Sequence, residues 1–200
     1  LLQPDLGPAQ GERGHGVVRV RVRAQLARSL TRLLHHLRGA RIVSVAPEMP
    51  GKAPFADTEL NGRIDLLLTD AARREIVLDV KWGGQDYRAE ELSNNLHLQL
   101  ASYAFLRRTP AGDWPYQAFY IAATGNVVAP DRAVFPNALV APSVRGENAE
   151  ALWQRVTSSY RWRRAQLAAG KIEVTAEGTE ADDDSAAPLG RLEVSGGPAP

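Results

Sequence analysis

Residues 59–103 read ELNGRIDLLLTDAARREIVLDVKWGGQDYRAEELSNNLHLQLASY. Two apolar runs stand in this stretch, Glu59 to Thr69 and Glu75 to Trp82, joined by the short turn Asp70 to Arg74. Runs of this length, rich in Ile, Leu and Val and bounded by turn residues, predict strands. Gly62 weakens the first strand locally or lets a ligand approach closely. The second run is apolar almost throughout, which predicts burial on both faces, yet it carries Asp79 and Lys81. Strand side chains alternate between faces, so Asp79 and Lys81 share one face and Val80 takes the other. Asp65 lies fourteen positions before Asp79, in the adjacent run. Gly83-Gly84 breaks the strand. From about Ala89 to Arg108 the pattern turns helical, with Leu92, Leu96, Leu100, Tyr103 and Leu106 as the core stripe. Asn95, Gln99 and Tyr103 fall at successive i,i+4 steps and therefore along one flank.

Upstream, Arg41 to Pro47 alternates as a strand, Glu48 stands at its end, and Pro50-Gly51 predicts a turn leading into a loop from Lys52 to Thr58. Three strands with short links predict a meander. Before them, Val18, Val22, Leu26, Leu30, Leu33, Leu34 and Leu37 recur at helical spacing, and Gly39 ends the helix. The segment VVRVRVR taken alone also alternates as a strand. Leu1 to Gly16 is expected to be irregular. Downstream, Gln117 to Ala123 predicts a fourth strand. Gly125 to Val144 predicts irregular chain with short edge strands at Asn126 to Val128 and Ala133 to Phe135. Glu147 to Ala169 predicts a last helix stopped by Gly170. Residues 171–200 are acidic and rich in Gly and Pro, with only LGRLEV strand-like, and are expected to form a mobile tail. The fold class expected is α/β, one domain over 17–170, with a central mixed β-sheet and helices on both faces.

Composition narrows the classes. At 200 residues and 44% hydrophobic content the chain can bury a sizeable core. It has no cysteine, which excludes disulfides, thiolate zinc sites and iron–sulfur clusters held within this chain and suits a reducing compartment, so a cytoplasmic location is expected. No apolar stretch is long enough to span a bilayer, and no signal peptide stands at the start. The chain begins with Leu, as a piece of a longer protein would. The net charge of +1 conceals an uneven spread: Arg13 to Arg41 holds eight arginines and no acid, whereas acids dominate from Glu173 to Asp184. A basic start can face a polyanion. Arginine supplies 21 of the 24 basic residues, leaving only Lys52, Lys81 and Lys171, so a lysine inside a buried-looking strand asks for a reason.

That reason is chemical. Carboxylates buried side by side repel and lose hydration. A hard divalent cation relieves both costs with oxygen ligands. Asp65 and Asp79 would supply two ligands, the Val80 carbonyl a third and Glu48 a fourth, with water completing the shell. Such an ion acidifies a bound water and neutralises a phosphate. Lys81 would hold the attacking water or meet charge developing in the transition state. Together these parts can cut a phosphodiester. An isolated Asp-x-Lys is also what a satisfied ion pair at a strand end looks like. Gln99 and Tyr103 alone read as a polar helix residue and a core tyrosine. The arginines of Val17 to Arg41 and of Arg155 to Arg164 read either as phosphate contacts or as solvated helix faces. Trp153 and Trp162 read either as stacking platforms for bases or as core residues.

G-R-I-D (Gly62 to Asp65), I-V-L-D-V-K-W (Ile76 to Trp82) and Q-L-A-S-Y (Gln99 to Tyr103), in that order, resemble the PD-(D/E)XK nuclease superfamily. They are most similar to its RecB-like branch, found as nuclease domains of helicase–nuclease repair enzymes and in related exonucleases. The resemblance covers about Arg41 to Ala123 and, more loosely, the chain to Gly170. It implies a restriction-endonuclease-like α/β/α core and metal-dependent cleavage of DNA in repair, recombination or defence, with Mg²⁺ or Mn²⁺ as cofactor. A helicase or other repair subunit, fused or separate, is the implied partner. Asp65 and Asp79 would be the metal ligands and Lys81 the catalytic lysine. Gln99 and Tyr103 would be the Q-x-x-x-Y pair near the DNA strand. The chain departs from the pattern twice. Many RecB-like nucleases carry a metal-binding G-x-x-x-H, but the fourth residue after Gly14 is Val18, and His15, His35 and His36 do not match; Glu48 is therefore the expected third acid. The four-cysteine cluster of several relatives is also missing. An alternative of another class is a catalytically inactive nuclease-like domain that binds DNA or scaffolds a larger complex. Intact Asp65, Asp79 and Lys81 argue against it. A third reading, metal-dependent hydrolysis of another substrate, finds no phosphate-cradling Gly-rich loop and no nucleophile elbow to support it.

Overall fold

Six strands form one sheet in chain order: β1 Ile42–Phe55, β2 Thr58–Asp70, β3 Glu75–Lys81, β4 Tyr116–Ile121, β5 Asn126–Ala129 and β6 Leu139–Val140. The structure, a computed structural model, describes residues 16–108, 110 and 112–171. The expected irregular start (apart from Gly16, which is helical) and the expected tail beyond residue 171 lie outside the described residues. Strands β1, β2 and β3 form the antiparallel meander anticipated from their short links. β4 runs parallel to β3, β5 antiparallel to β4, and β6 parallel to β5. A parallel neighbour needs a crossover connection. Here α2 (Gln85–Ser93) and α3 (Leu98–Arg107) supply it between β3 and β4. Helix α1 (Gly16–Gly39) precedes the sheet and α4 (Ala149–Ala168) follows it.

The alternation along β3 assigns the layers. Ile76 and Leu78 pack with Leu68, Tyr120 and Val127 and against Leu33 and Leu37 of α1. Val77, between them, packs with Ile64, Phe119 and Ile121 and against Leu92, Leu100 and Ala104 of α2 and α3. A strand that feeds two cores must be apolar on both faces, which is why β3 reads as a nearly continuous hydrophobic run. The result is an α/β/α domain of restriction-endonuclease-like architecture. Asp79 and Lys81 share the parity of Val77 and face the α2–α3 side.

Four expectations are corrected. Pro50-Gly51 is not a turn: β1 continues through it, pairing Pro50 with Arg63 and Gly51 with Gly62, and the hairpin closes at Ala56-Asp57, with Ala56 at φ 52°. The expected loop Lys52 to Thr58 is therefore the strand's far half and the hairpin tip. β1 lies at the sheet edge, where a proline is tolerated, and the facing glycines form a slot for Leu106 of α3. A Cβ on Gly62 would stand 2.8 Å from Leu106 Cδ1 and one on Gly51 3.0 Å from Leu106 Cβ.

The helix expected over Ala89 to Arg108 is two helices. Asn95 adopts φ 54°, a left-handed conformation that Asn tolerates better than most residues. Its buried Nδ2 donates to Glu147 Oε2 (3.0 Å) and to the Asn148 carbonyl (3.3 Å), and Arg155 Nη2 donates to the Asn95 carbonyl (2.8 Å). The break turns Leu96 out to 61% exposure and removes Asn95 from the flank of Gln99 and Tyr103. Third, Asn126–Ala129 is an interior strand, because β6 pairs outside it. Fourth, Ala133 to Phe135 is not a strand; Val134 and Phe135 instead plug the core on the α1 side. VVRVRVR is helical from Gly16 onward. Among the described residues no helix is long and apolar enough to cross a membrane.

Candidate active site

The β2–β3 ladder ends at Leu66 paired with Leu78. One position further along each strand stand Asp65 and Asp79, not paired with each other because the two strands separate there. Asp65 Oδ2 accepts a hydrogen bond from the Val80 amide (2.9 Å), so its side chain takes over where the ladder stops. Asp79 is 0% exposed. The Lys81 ammonium lies 3.0 Å from Asp79 Oδ2, and Oδ1 has no hydrogen-bond partner. Burial pushes the Asp79 carboxyl up to about 6, the Lys81 charge pulls it back, and the Asp65 charge pushes it further up.

Helix α3 closes the arrangement. Lys81 Nζ donates to Gln99 Oε1 (2.7 Å), Gln99 Nε2 donates to Tyr103 Oη (2.9 Å), and Tyr103 donates to Asp65 Oδ1 (3.2 Å). The i,i+4 spacing puts Gln99 and Tyr103 on one helix flank, and the parallel crossover lays that flank over the end of β3. Burial, followed by the Asp65 and Asp79 charges, raises the Tyr103 phenol above its ordinary range and keeps it a neutral donor. Asp65, Asp79, the Val80 backbone, Lys81, Gln99 and Tyr103 thus form one connected group.

Glu48 stays outside it. Its register position faces Asp65, between the pairs Pro47–Leu66 and Met49–Ile64. It adopts φ 51°, however, which interrupts the pairing. Its side chain is 66% exposed and lies 4.0 Å from Arg63 Nε. Hydrophobic alternation carries no sign of such a twist at a non-glycine residue. Among the described residues no three His, Asp or Glu side chains stand close enough together to hold a metal ion. His36 lies on α1, on the opposite face of the sheet, its Nε2 3.0 Å from the Gly125 carbonyl, and His35 is its neighbour. His15 is outside the described residues. His97 is buried just before α3, and that burial lowers its pKa.

The two readings of the α4 residues separate here. Trp153 is 6% exposed and stacked on Phe105 at 4.3 Å, a core residue rather than a platform for bases. Arg155 pairs with Glu147, and Arg164 pairs with Asp57 at 2.9 Å. Trp162 is half exposed, with the Arg163 guanidinium 4.7 Å from its ring centroid.

A fully buried carboxylate met by a single ammonium at Oδ2, with no partner at Oδ1 and a second carboxylate beside it, is a costly arrangement. A hard divalent cation satisfies such oxygens, so the donor set fits one. No curated protein matches the chain. The family model of the PD-(D/E)XK nuclease superfamily matches residues 3–182. With the α/β/α architecture and the paired strand-end acids already in place, that match settles the relationship: the chain belongs to the PD-(D/E)XK nuclease superfamily.

Proposed function

We propose that the chain is a divalent-metal-dependent nuclease that hydrolyses DNA phosphodiester bonds, of the RecB-like branch, acting in repair, recombination or defence. The observation that carries this reading is buried Asp79, its Oδ1 without a partner and its Oδ2 3.0 Å from the Lys81 ammonium, set beside Asp65 at the strand end. Mg²⁺ or Mn²⁺ would be held by Asp65, Asp79 and the Val80 carbonyl. When bound, the ion supplies Lewis acidity and a water of lowered pKa. Lys81, anchored to Gln99, offers a fixed cation to the attacking water and to the charge that grows on the phosphate. Gln99 orients Lys81 and Tyr103 orients Asp65, and both lie where the DNA strand would pass. Glu48, opposite Asp65 in register, joins only by turning away from Arg63. A two-acid site completed by water agrees better with the geometry. A helicase or other repair subunit remains the proposed partner and the cytoplasm the proposed location.

The test is cleavage of end-labelled single- and double-stranded DNA with Mg²⁺, Mn²⁺ or EDTA, comparing the native chain with Lys81→Ala. Metal-dependent cutting that the substitution abolishes is the expected result, and the product ladder separates exonuclease from endonuclease. Cutting that survives Lys81→Ala unchanged refutes the mechanism. A folded native chain that binds DNA and never cuts it supports the inactive scaffold instead.

A further inference from the structure

We propose that the flank of α1 bearing Arg21, Gln25, Arg28 and Arg32 is a phosphate track, which holds the phosphodiester backbone of a nucleic-acid strand as it passes the Asp65–Asp79 pair. The inference rests on the nuclease reading for its purpose, but its own evidence is separate. Helix α1 carries six arginines and no acid. The four named residues are spaced 4, 3 and 4 apart and so lie along one stripe. From Arg21 to Arg32 that stripe spans about 16 Å at 1.5 Å per residue, long enough for several consecutive phosphates of a strand that advances about 3.4 Å per nucleotide in a duplex.

Its place in the fold brings it to the site. Ser29 Oγ lies 2.9 Å from Tyr120 Oη, and Tyr120 is the ladder partner of Val80. The loop after β4 continues that pairing: the Ala122 amide donates to the Lys81 carbonyl (2.8 Å) and the Ala123 amide to the Trp82 carbonyl (2.7 Å). Arg32 donates to the carbonyl of Thr124, in the same loop. Gly125, at φ 71°, leaves Arg32 the room that a Cβ would occupy. Between the loop and the stripe lies an open cleft of about 310 Å³, lined by Gln25, Arg28, Ser29 and Arg32 and by no acid. A strand engaged at Lys81 therefore crosses one strand-end of the sheet, at Ala122 and Ala123, to reach arginines on the other face.

The α1 arginines differ from two of the α4 arginines in what already holds them. Arg155 and Arg164 of α4 are committed to Glu147 and Asp57. Among the described residues no carboxylate lies within ion-pair distance of Arg21, Arg28 or Arg32. Exposed guanidinium groups in a row without counter-charge suit a polyanion, and backbone phosphates need no sequence match.

The experiment measures binding without cutting: fluorescence anisotropy of labelled oligo(dT) in EDTA, from 50 to 300 mM KCl. The native chain is compared with Arg21→Ala/Arg28→Ala and, as an equal loss of charge elsewhere, with Arg38→Ala/Arg145→Ala. Each phosphate contact to a single strand contributes about 0.7 to the slope of log K against log salt. The track pair is expected to flatten that slope by about 1.4 and to weaken binding about tenfold at 100 mM salt. The control pair should stay within about twofold of native, and Arg21→Lys/Arg28→Lys should regain most of the loss. Circular dichroism checks that all variants are folded. An unchanged slope in the track pair, an equal fall in the control pair, or no binding by the native chain each overturns the track. Binding that depends on the track, with no cleavage when Mg²⁺ or Mn²⁺ is added, removes the nuclease reading and leaves the track standing. Cleavage with an unaltered slope does the reverse.

Discussion

Replacing Asp79 with Asn is expected to make the protein more stable while it destroys the site. A carboxyl raised from 3.8 to about 6 costs the folded state about 3 kcal/mol at pH 7.5, at 1.36 kcal/mol per pKa unit. The direction follows from proton binding. The folded chain takes up this proton more readily than the unfolded one, so the Asp79 contribution to stability is largest below pH 3.8 and is lost as pH rises through 6. Asn keeps the shape and removes the buried charge, but it deprives Lys81 of a partner at 3.0 Å, leaving that ammonium with Gln99. The net gain expected is about 1–2 kcal/mol, or about 3–6 °C in Tm for a domain of this size. Thermal unfolding followed by circular dichroism in EDTA, from pH 5 to 8, measures it. Taking the difference between native and Asp79→Asn at each pH cancels other titrating groups, buried His97 among them. That difference should be greatest near pH 7.5–8 and shrink towards zero by pH 5, where the cost of the native carboxylate has fallen to about half. Adding Mg²⁺ should raise the native Tm alone, since only the native chain holds both acids. An Asp79→Asn variant less stable than native at pH 7.5, or a gap that does not narrow with acid, would show that the Asp79–Lys81 pair stabilises the fold and that the argument from buried charge is wrong.

Tyr103→Phe deletes the hydroxyl that joins Gln99 to Asp65. It should lower metal affinity roughly 10-fold or more with little change in Tm, as read by titrating Mn²⁺ calorimetrically; an unaltered affinity would leave Tyr103 no part in holding Asp65. Gly51→Ala places a methyl 3.0 Å from Leu106 Cβ, an atom fixed to the helix backbone. It should cost about 1–3 kcal/mol in urea unfolding, and a neutral result would mean that α3 does not seat in the Gly51–Gly62 slot as described.

What the sequence determined by itself is local. The period of two in RIVSVAP marks a strand with one apolar face, and the short apolar runs of GRIDLLLT and EIVLDVK, bounded by turn residues, mark strands buried on both. The period near 3.6 in α1 and α4 marks helices, again through one apolar face. The parity of Asp79 and Lys81 and the i,i+4 spacing of Gln99 and Tyr103 fix shared faces without any knowledge of the fold, so most of the group around Asp65 was legible before its geometry. Non-local contacts and backbone twists decided the rest. Only the pairing of β4 parallel to β3 lays Gln99 over Lys81. Only the end of the β2–β3 ladder sets Asp65 beside Asp79. The reach of β1 through Pro50-Gly51 depends on Gly62 across the ladder and Leu106 above it, neither of which is near in sequence. The break at Asn95 is held by Glu147, Asn148 and Arg155, more than fifty residues away. Glu48 illustrates the limit most directly: the sequence puts it at the end of a strand, the β1–β2 register puts it opposite Asp65, but one left-handed residue turns its carboxylate to Arg63, and a positive φ at glutamate leaves no trace in a hydrophobic pattern.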